Sequence, residues 1–179
     1  MSRELRELES KIVKPRKLDR PPLERWNPPL SGDIDIRIAR DGRWFHEDTE
    51  IRRAPLVRLF ASILRREEDD EYYLVTPVEK WRIRVDAHPL LITDVSVAAA
   101  GAPPTLTATL NTGEEYAIGE DHPLFLDAAV ENVAAIRLPH GLTAICTRPA
   151  WYRLIDLAEE TGEGDLILSS GPYRFRLSA

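Results

Sequence analysis

The chain has 179 residues, 43% of them hydrophobic and 30% charged, with a formal net charge of −6; this suits one ordinary domain or two small lobes and argues against duplex nucleic acid or an anionic membrane as the main partner. No stretch approaches the ~18–20 apolar residues of a membrane helix, and Met1-Ser2-Arg3-Glu4-Leu5 lacks the apolar core of a signal peptide, so a cytoplasmic location is expected. A single cysteine, Cys146, excludes a disulfide framework and a zinc-type cysteine cluster, and its apolar setting in Thr143-Ala144-Ile145-Cys146 predicts burial.

Leu5, Leu8 and Ile12 form a weak helical stripe over residues 2–13. Pro15, Pro21, Pro22, Pro28 and Pro29 then forbid regular structure to about residue 30. This stretch reads as an arm anchored by Trp26, or as an undocked segment. Ile34, Ile36 and Ile38 alternate with Asp33, Asp35 and Arg37, the period of a half-buried strand whose polar face carries two carboxylates and a guanidinium. Asp41-Gly42 supplies a tight turn, and Arg43-Trp44-Phe45-His46 returns as the partner strand. Pro55 suits the first turn of a helix whose apolar face runs through Leu56, Phe60, Ile63 and Leu64, with Arg65 and Arg66 at its negative end. The acidic run Glu67 to Glu71 reads as a solvated loop.

Residues 72–127 read as strands: Tyr72–Val75, Glu79–Val85, Leu90–Ala98, Thr105–Leu110 and Glu115–Ile118. Gly101 to Pro104 and Asn111-Thr112-Gly113 supply turns. Asp86-Ala87-His88-Pro89-Leu90-Leu91 is echoed by Glu120-Asp121-His122-Pro123-Leu124-Phe125, and each His-Pro sets the entry to a strand. A second helix starts near Pro149, with Trp151, Leu154, Ile155 and Ala158 on one face and Gly162 as its stop. A hairpin of Asp165–Ser169 and Tyr173–Leu177 follows.

The order strand, turn, strand, helix, strand thus occurs twice, from Ile34 to Val75 and from Val133 to Leu168, with Arg-x4-Arg-Leu shared at the helices. The expected fold is α+β and mostly antiparallel, two small lobes built from a duplicated ββαβ-like unit. Its C-terminal half would be superficially similar to a pleckstrin-homology barrel with one capping helix. The expected divisions are an arm over 1–30, a first lobe over 31–78 and a second over 79–179. A cleft between two lobes is a common place for a ligand.

Little in the chain names a reaction. His46, His88, His122 and His140 lack the short spacings of metal motifs, and no nucleophile elbow, P-loop or dinucleotide fingerprint is present. No catalytic residue, metal ligand or cofactor is therefore assigned. Asp33 and Asp35 have the spacing for a divalent ion on one strand face, but with Arg37 beside them a solvent-facing ion-pair ladder is the simpler account. Arg52 and Arg53 precede the first helix, where guanidinium groups suit a phosphate or carboxylate. Thr76-Pro77-Val78-Glu79-Lys80-Trp81-Arg82 is polar and aromatic at the exit from the first repeat, and Trp44 and Trp81 offer stacking surfaces for a base.

The segments Gly32 to His46, Ile51-Arg52-Arg53, Leu56 to Phe60 and Leu74 to Lys80 resemble the bacterial family catalogued as domain of unknown function 1285. Asp121-His122-Pro123-Leu124 and Arg148-Pro149 to Leu154 resemble its later motifs, so that the likeness covers about residues 25–170. The resemblance implies a duplicated core, a ligand site between the lobes, a nucleotide-like ligand and a role in signal transduction, and it points to Asp33, Asp35, Arg37, Arg40, Trp44, His46, Thr76, Glu79 and Lys80. One departure is Phe125, where the resemblance leads one to expect a basic residue. The reading is a non-enzymatic small-ligand-binding or signalling protein, with an anionic, nucleotide-like ligand and a signalling protein partner. The alternatives are a divalent-metal hydrolase or transferase using Asp33 and Asp35, and a protein interaction module.

Overall fold

The alternation read at residues 33–38 becomes strand β1 (Leu30–Ile38), with Ile36 and Ile38 fully buried and Asp33 and Asp35 exposed. In the computed structural model of the chain, residues 21–98, 104–162 and 164–177 are described. The helical stripe over 2–13, Pro15 and residues 101–103 of the expected turn lie outside the described residues. The chain divides into two compact units between Ala87 and His88. No helix among the described residues is long and apolar enough to cross a membrane.

In the first unit β1 is followed by β2 (Trp44–His46), β3 (Thr49–Glu50), α1 (Ala54–Ser62), β4 (Leu64–Arg66), β5 (Tyr72–Val75) and β6 (Lys80–Val85). Gly42 at the first turn has φ +76°, a left-handed conformation that glycine adopts without strain. Helix α1 stops at Ser62, whose hydroxyl donates to the Leu59 carbonyl at 2.7 Å. Leu64, Arg65 and Arg66, read as the helix end, instead pair with Leu74, Tyr73 and Tyr72. The apolar spacing fits a helix there, but strand pairing decides. The sheet runs β3-β2-β1-β6-β5-β4, and its one parallel junction is β1 with β6. Ile36, Ile38, Trp44, Leu64, Leu74 and Ile83 are buried together with Leu56 and Phe60 of α1, and the rings of Trp44 and Phe60 lie 6.1 Å apart. Ahead of β1 a 3₁₀ turn, Leu23–Arg25, buries Leu23 to 2% exposure, so Leu23 anchors this segment where Trp26 was expected.

The second unit comprises β7 (Leu90–Val97), β8 (Leu106–Leu110), β9 (Glu115–Ala117), β10 (Leu124–Asp127), β11 (Val133–Arg137), β12 (Thr143–Cys146), α2 (Arg148–Leu157), β13 (Glu159–Glu160), β14 (Leu166–Ser170) and β15 (Tyr173–Arg176). Its main sheet runs β10-β11-β12-β7-β8-β9, and β13-β14-β15 form a small sheet. The main sheet is open, with β9 and β10 at its edges, rather than a closed barrel. Helix α2 buries Ala150 and Leu154 and ends at Leu157, five residues before the stop expected at Gly162. Glu159 and Glu160 leave it to pair with Ile167 and Leu166.

The fold is therefore α+β and mostly sheet, in two lobes. The order strand, turn, strand, helix, strand is present in each, as β1-β2-α1-β5 and β11-β12-α2-β14. The hydrogen-bonded sheets repeat on a longer frame. Counted from its own first strand, each sheet has the order 3-2-1-6-5-4, with strands 1 and 6 parallel and every other neighbour antiparallel. Each sheet is thus two three-stranded meanders joined at one parallel seam. The helices do not share this frame, since α1 falls between the third and fourth strands of its unit and α2 follows the sixth. The sequence reading opened the second lobe at residue 79, but Lys80–Val85 is the sixth strand of the first sheet, held between β1 and β5.

Candidate functional site: the charged face of the first unit

Side chains alternate across a strand, so Lys80, Arg82 and Arg84 of β6 share the face opposite to the buried Ile83. The parallel register sets Asp33 beside Arg82, and three cross-strand ion pairs follow along the seam. Arg82 donates from Nε and Nη2 to the two carboxylate oxygens of Asp33, at 2.7 and 2.9 Å. Arg84 Nη2 donates to Asp35 at 2.6 Å, and Arg37 Nη1 to Asp86 at 2.8 Å, so the third rung is reversed in sign. The hydrogen bond from Arg82 holds the Asp33 carboxyl below its usual range, and the same bond raises Arg82. The ion-pair ladder read from Asp33, Asp35 and Arg37 is thus present, and its partners lie on the neighbouring strand.

Over the first two rungs lies an open cleft of about 370 Å³, lined by Asp33, Asp35, Glu71, Arg82 and Arg84 with Ile34 and Ile83. A guanidinium carries five N–H donors. The rung bonds use two on Arg82 and one on Arg84, which leaves donors for the oxygens of an incoming anion. Beside the cleft, Glu67 accepts from Lys80 Nζ at 2.7 Å and pairs with Arg65. Arg65 also donates to the carbonyls of Leu23 and Trp26, tying the N-terminal turn to β4. Burial raises the Glu67 carboxyl, but the hydrogen bonds from Lys80 and Arg65 outweigh it, and the net displacement is downward. Tyr73 donates to Asp69 at 2.6 Å, and chiefly through that bond its phenol is pushed up to about 12. Arg37 and Arg43 lie over the ring of Phe45, at 4.9 and 5.4 Å from its centroid.

The sequence candidates fall into distinct settings. Asp33 and Asp35 line the cleft, Arg37 forms the third rung, and Lys80 pairs with Glu67 beside it. Arg40 is exposed after the end of β1. Arg52 is exposed and pairs with Glu50 at 3.1 Å, and Arg53 occupies the N-cap position of α1. Trp44 and His46 are 1% and 4% exposed, so both belong to the core, and Trp44 has no face open to a base. The Trp44 Nε1 and His46 Nε2 nitrogens have no hydrogen-bond partner among the described residues. Thr76 is buried and serves its turn: its hydroxyl accepts from the Glu79 N–H at 3.0 Å. Glu79 accepts from Trp81 Nε1 at 3.4 Å, and Trp81 is half-buried beside Gly32. Asp33 and Asp35 are each engaged by an arginine, and no group of three His, Cys, Asp or Glu side chains among the described residues is arranged to hold a metal ion.

Sequence reasoning missed Arg82, Arg84, Asp86 and Glu71 as parts of this face. A signal for three of them is present: Arg82-x-Arg84-x-Asp86 is the charge complement of Asp33-x-Asp35-x-Arg37, read in the same direction. All three ion pairs share the same offset of 49 residues, although a register shift in β1 brings the Cα of Arg37 opposite that of Arg84.

The profile described as domain of unknown function (DUF1285), N-terminal domain, matches residues 21–88, and that described as protein of unknown function (DUF1285), C-terminal domain, matches residues 89–177. A crystal structure of a DUF1285 family protein from Silicibacter pomeroyi DSS-3 is 43% identical with a TM-score of 0.83, covering 96% of this chain and 94% of that one. A second, from Shewanella baltica OS155, is 30% identical with a TM-score of 0.57, covering 68% of this chain and 90% of that one. No curated protein gives a significant match.

Proposed function

The chain belongs to the DUF1285 family through both of its units, and we propose that it is a binding protein for a small anionic molecule, a nucleotide-based one first among them, acting in signal transduction. The observation that carries this reading is the pair Arg82 and Arg84, on neighbouring rungs of an open cleft of about 370 Å³. Ion pairs at a surface contribute little to stability. A ligand phosphate or carboxylate can meet the N–H donors that the rung bonds leave unused on Arg82 and Arg84, in the planar geometry that arginine favours. The cleft offers carboxylates, guanidinium groups and isoleucine, and both of its aspartates are held by arginines, which favours a reading as a binding site.

The test is a thermal-shift and calorimetric screen of nucleoside mono-, di- and triphosphates and cyclic nucleotides. A ligand at 100 times its Kd stabilises by about 2.7 kcal/mol, which raises the midpoint by roughly 5–10 °C. Arg84→Ala should abolish that shift, and Arg58→Ala, an exposed position on α1, should leave it intact. A ligand whose affinity is unchanged by Arg84→Ala and Arg82→Ala would remove the cleft from the account.

A further inference from the structure

In the second unit, three residues far apart in sequence meet in a hydrogen-bonded chain. His88 Nε2 lies 2.7 Å from Asp127 Oδ2, and its Nδ1 lies 2.8 Å from Thr143 Oγ1. Asp127 is fixed in turn by the Ala129 N–H, which donates to its Oδ1 at 2.8 Å. Burial raises the Asp127 carboxyl, but the bonds from His88 and Ala129 outweigh it and keep the group ionised. An ionised Asp127 only accepts, so Nε2 carries the ring proton. On the neutral ring Nδ1 is then the acceptor, and the Thr143 hydroxyl donates to it.

The surroundings give this chain a direction. The registers of β10, β11 and β12 put Phe125, Asp127, Arg137 and Thr143 on one face of the sheet. His88 is 6% exposed and its ring centroid is 6.1 Å from that of Phe125. Thr143 is half-buried, and Arg137, its cross-strand partner, is exposed with its guanidinium 5.0 Å from the Phe125 ring. An ionised carboxylate thus orients an imidazole, the imidazole faces a hydroxyl, and a cation on the neighbouring strand of the same face lies over the Phe125 ring. These are the relations that activate a hydroxyl nucleophile, and they are recognised by geometry rather than by sequence order.

We propose that the second unit holds a threonine-based acyl-transfer site that hydrolyses esters of short carboxylic acids, independent of the binding cleft in the first unit. Thr143 Oγ1 attacks the ester carbonyl carbon as its proton passes to His88 Nδ1, and Asp127 stabilises the imidazolium that forms. The carbon–oxygen bond to the alcohol breaks, and the departing alkoxide takes the proton from His88. Water then adds to the acyl-threonine, releasing the carboxylic acid and restoring the hydroxyl. In both halves the oxyanion would be met by Arg137, turned from its place over the Phe125 ring.

The experiment follows p-nitrophenyl acetate hydrolysis by the full-length protein, with mass spectrometry of peptides from acid-quenched samples. Turnover above buffer and an acetyl group on Thr143 are expected. Thr143→Ala and Asp127→Asn should each lower the rate by roughly 100-fold or more, while Thr143→Ser retains it and Arg58→Ala, at an exposed position of the first unit, has no effect. Asparagine keeps an acceptor for the Ala129 N–H, so the Asp127→Asn variant separates loss of charge from loss of the turn. Turnover no faster than buffer, no acetyl group on Thr143, or a Thr143→Ala protein as fast as wild type would each overturn the proposal.

Discussion

Replacing Glu67 by glutamine removes one charge from a partly buried cluster of three. Glu67 retains 23% side-chain exposure, Lys80 14% and Arg65 15%. A fully exposed pair is worth ~0–1 kcal/mol, and breaking a buried pair costs ~3–5 kcal/mol because a charge is left uncompensated. This cluster lies between those limits, and it leaves two cations behind, so a loss of about 2 kcal/mol is expected for Glu67→Gln. For a chain of this size that corresponds to a midpoint lower by roughly 4–8 °C. The chain has four tryptophans, and a Trp151→Phe background leaves Trp26, Trp44 and Trp81, so that fluorescence follows the first unit alone. The Glu67 carboxyl sits below its ordinary value near 4.5, so its contribution is present above that value and is lost as pH falls through the lower, folded-state value. The wild-type and glutamine stabilities should therefore separate near neutrality and converge in acid. A double-mutant cycle with Lys80→Met should give a coupling of about 1 kcal/mol. A cost below about 0.5 kcal/mol, or a pH-independent difference, would refute the reasoning.

Three further outcomes follow from the packing. Burial pushes the Cys146 thiol up to about 12, so native protein at pH 8 should react with a thiol reagent orders of magnitude more slowly than protein unfolded in guanidinium. Gly32 has φ +139°, and a Cβ there would meet the Trp81 ring at 3.5 Å; Gly32→Ala should cost roughly 1–3 kcal/mol by denaturant titration, through backbone strain. Buried Ser170 accepts from the Leu106 N–H at 2.9 Å and donates to the Ile118 carbonyl at 2.6 Å. Ser170→Ala leaves both groups without that partner and should cost about 1–3 kcal/mol, with faster amide exchange at Leu106.

What was legible in the sequence was local. The Ile34-Ile36-Ile38 alternation, the Asp41-Gly42 turn and Pro55 at a helix start each act within a few residues, and each corresponds to an element of the fold. Leu64, Arg65 and Arg66 misled because their spacing satisfies the helix, and only pairing with Tyr72–Leu74 makes them a strand. Trp44 and His46 sit on a strand so short that alternation alone does not tell the inner face from the outer. The His88, Asp127 and Thr143 chain was hidden for a different reason, since its members come from three separate strand ends and no spacing rule connects them. The ladder lies between these cases. Half of it was read from β1, and its complement stands in plain charge order on β6, but nothing local says which strands are neighbours.

The parallel seam also determines how each sheet can assemble. A meander is built by turns, so its strands need only find partners a few residues away, and such contacts form early. Residues 30–38 must find residues 80–85, and residues 90–92 must find residues 144–146, with no turn to guide them. Closing a loop of about 50 residues carries an entropy that rises with the logarithm of its length. Seam closure is accordingly the expected slow step in both units, though the two seams differ in character. Leu90, Leu91 and Ile92 meet Ala144, Ile145 and Cys146 through apolar contact, whereas in the first unit opposite charges attract one another before the strands touch. Refolding of the first unit should slow as ionic strength rises, and that of the second should not.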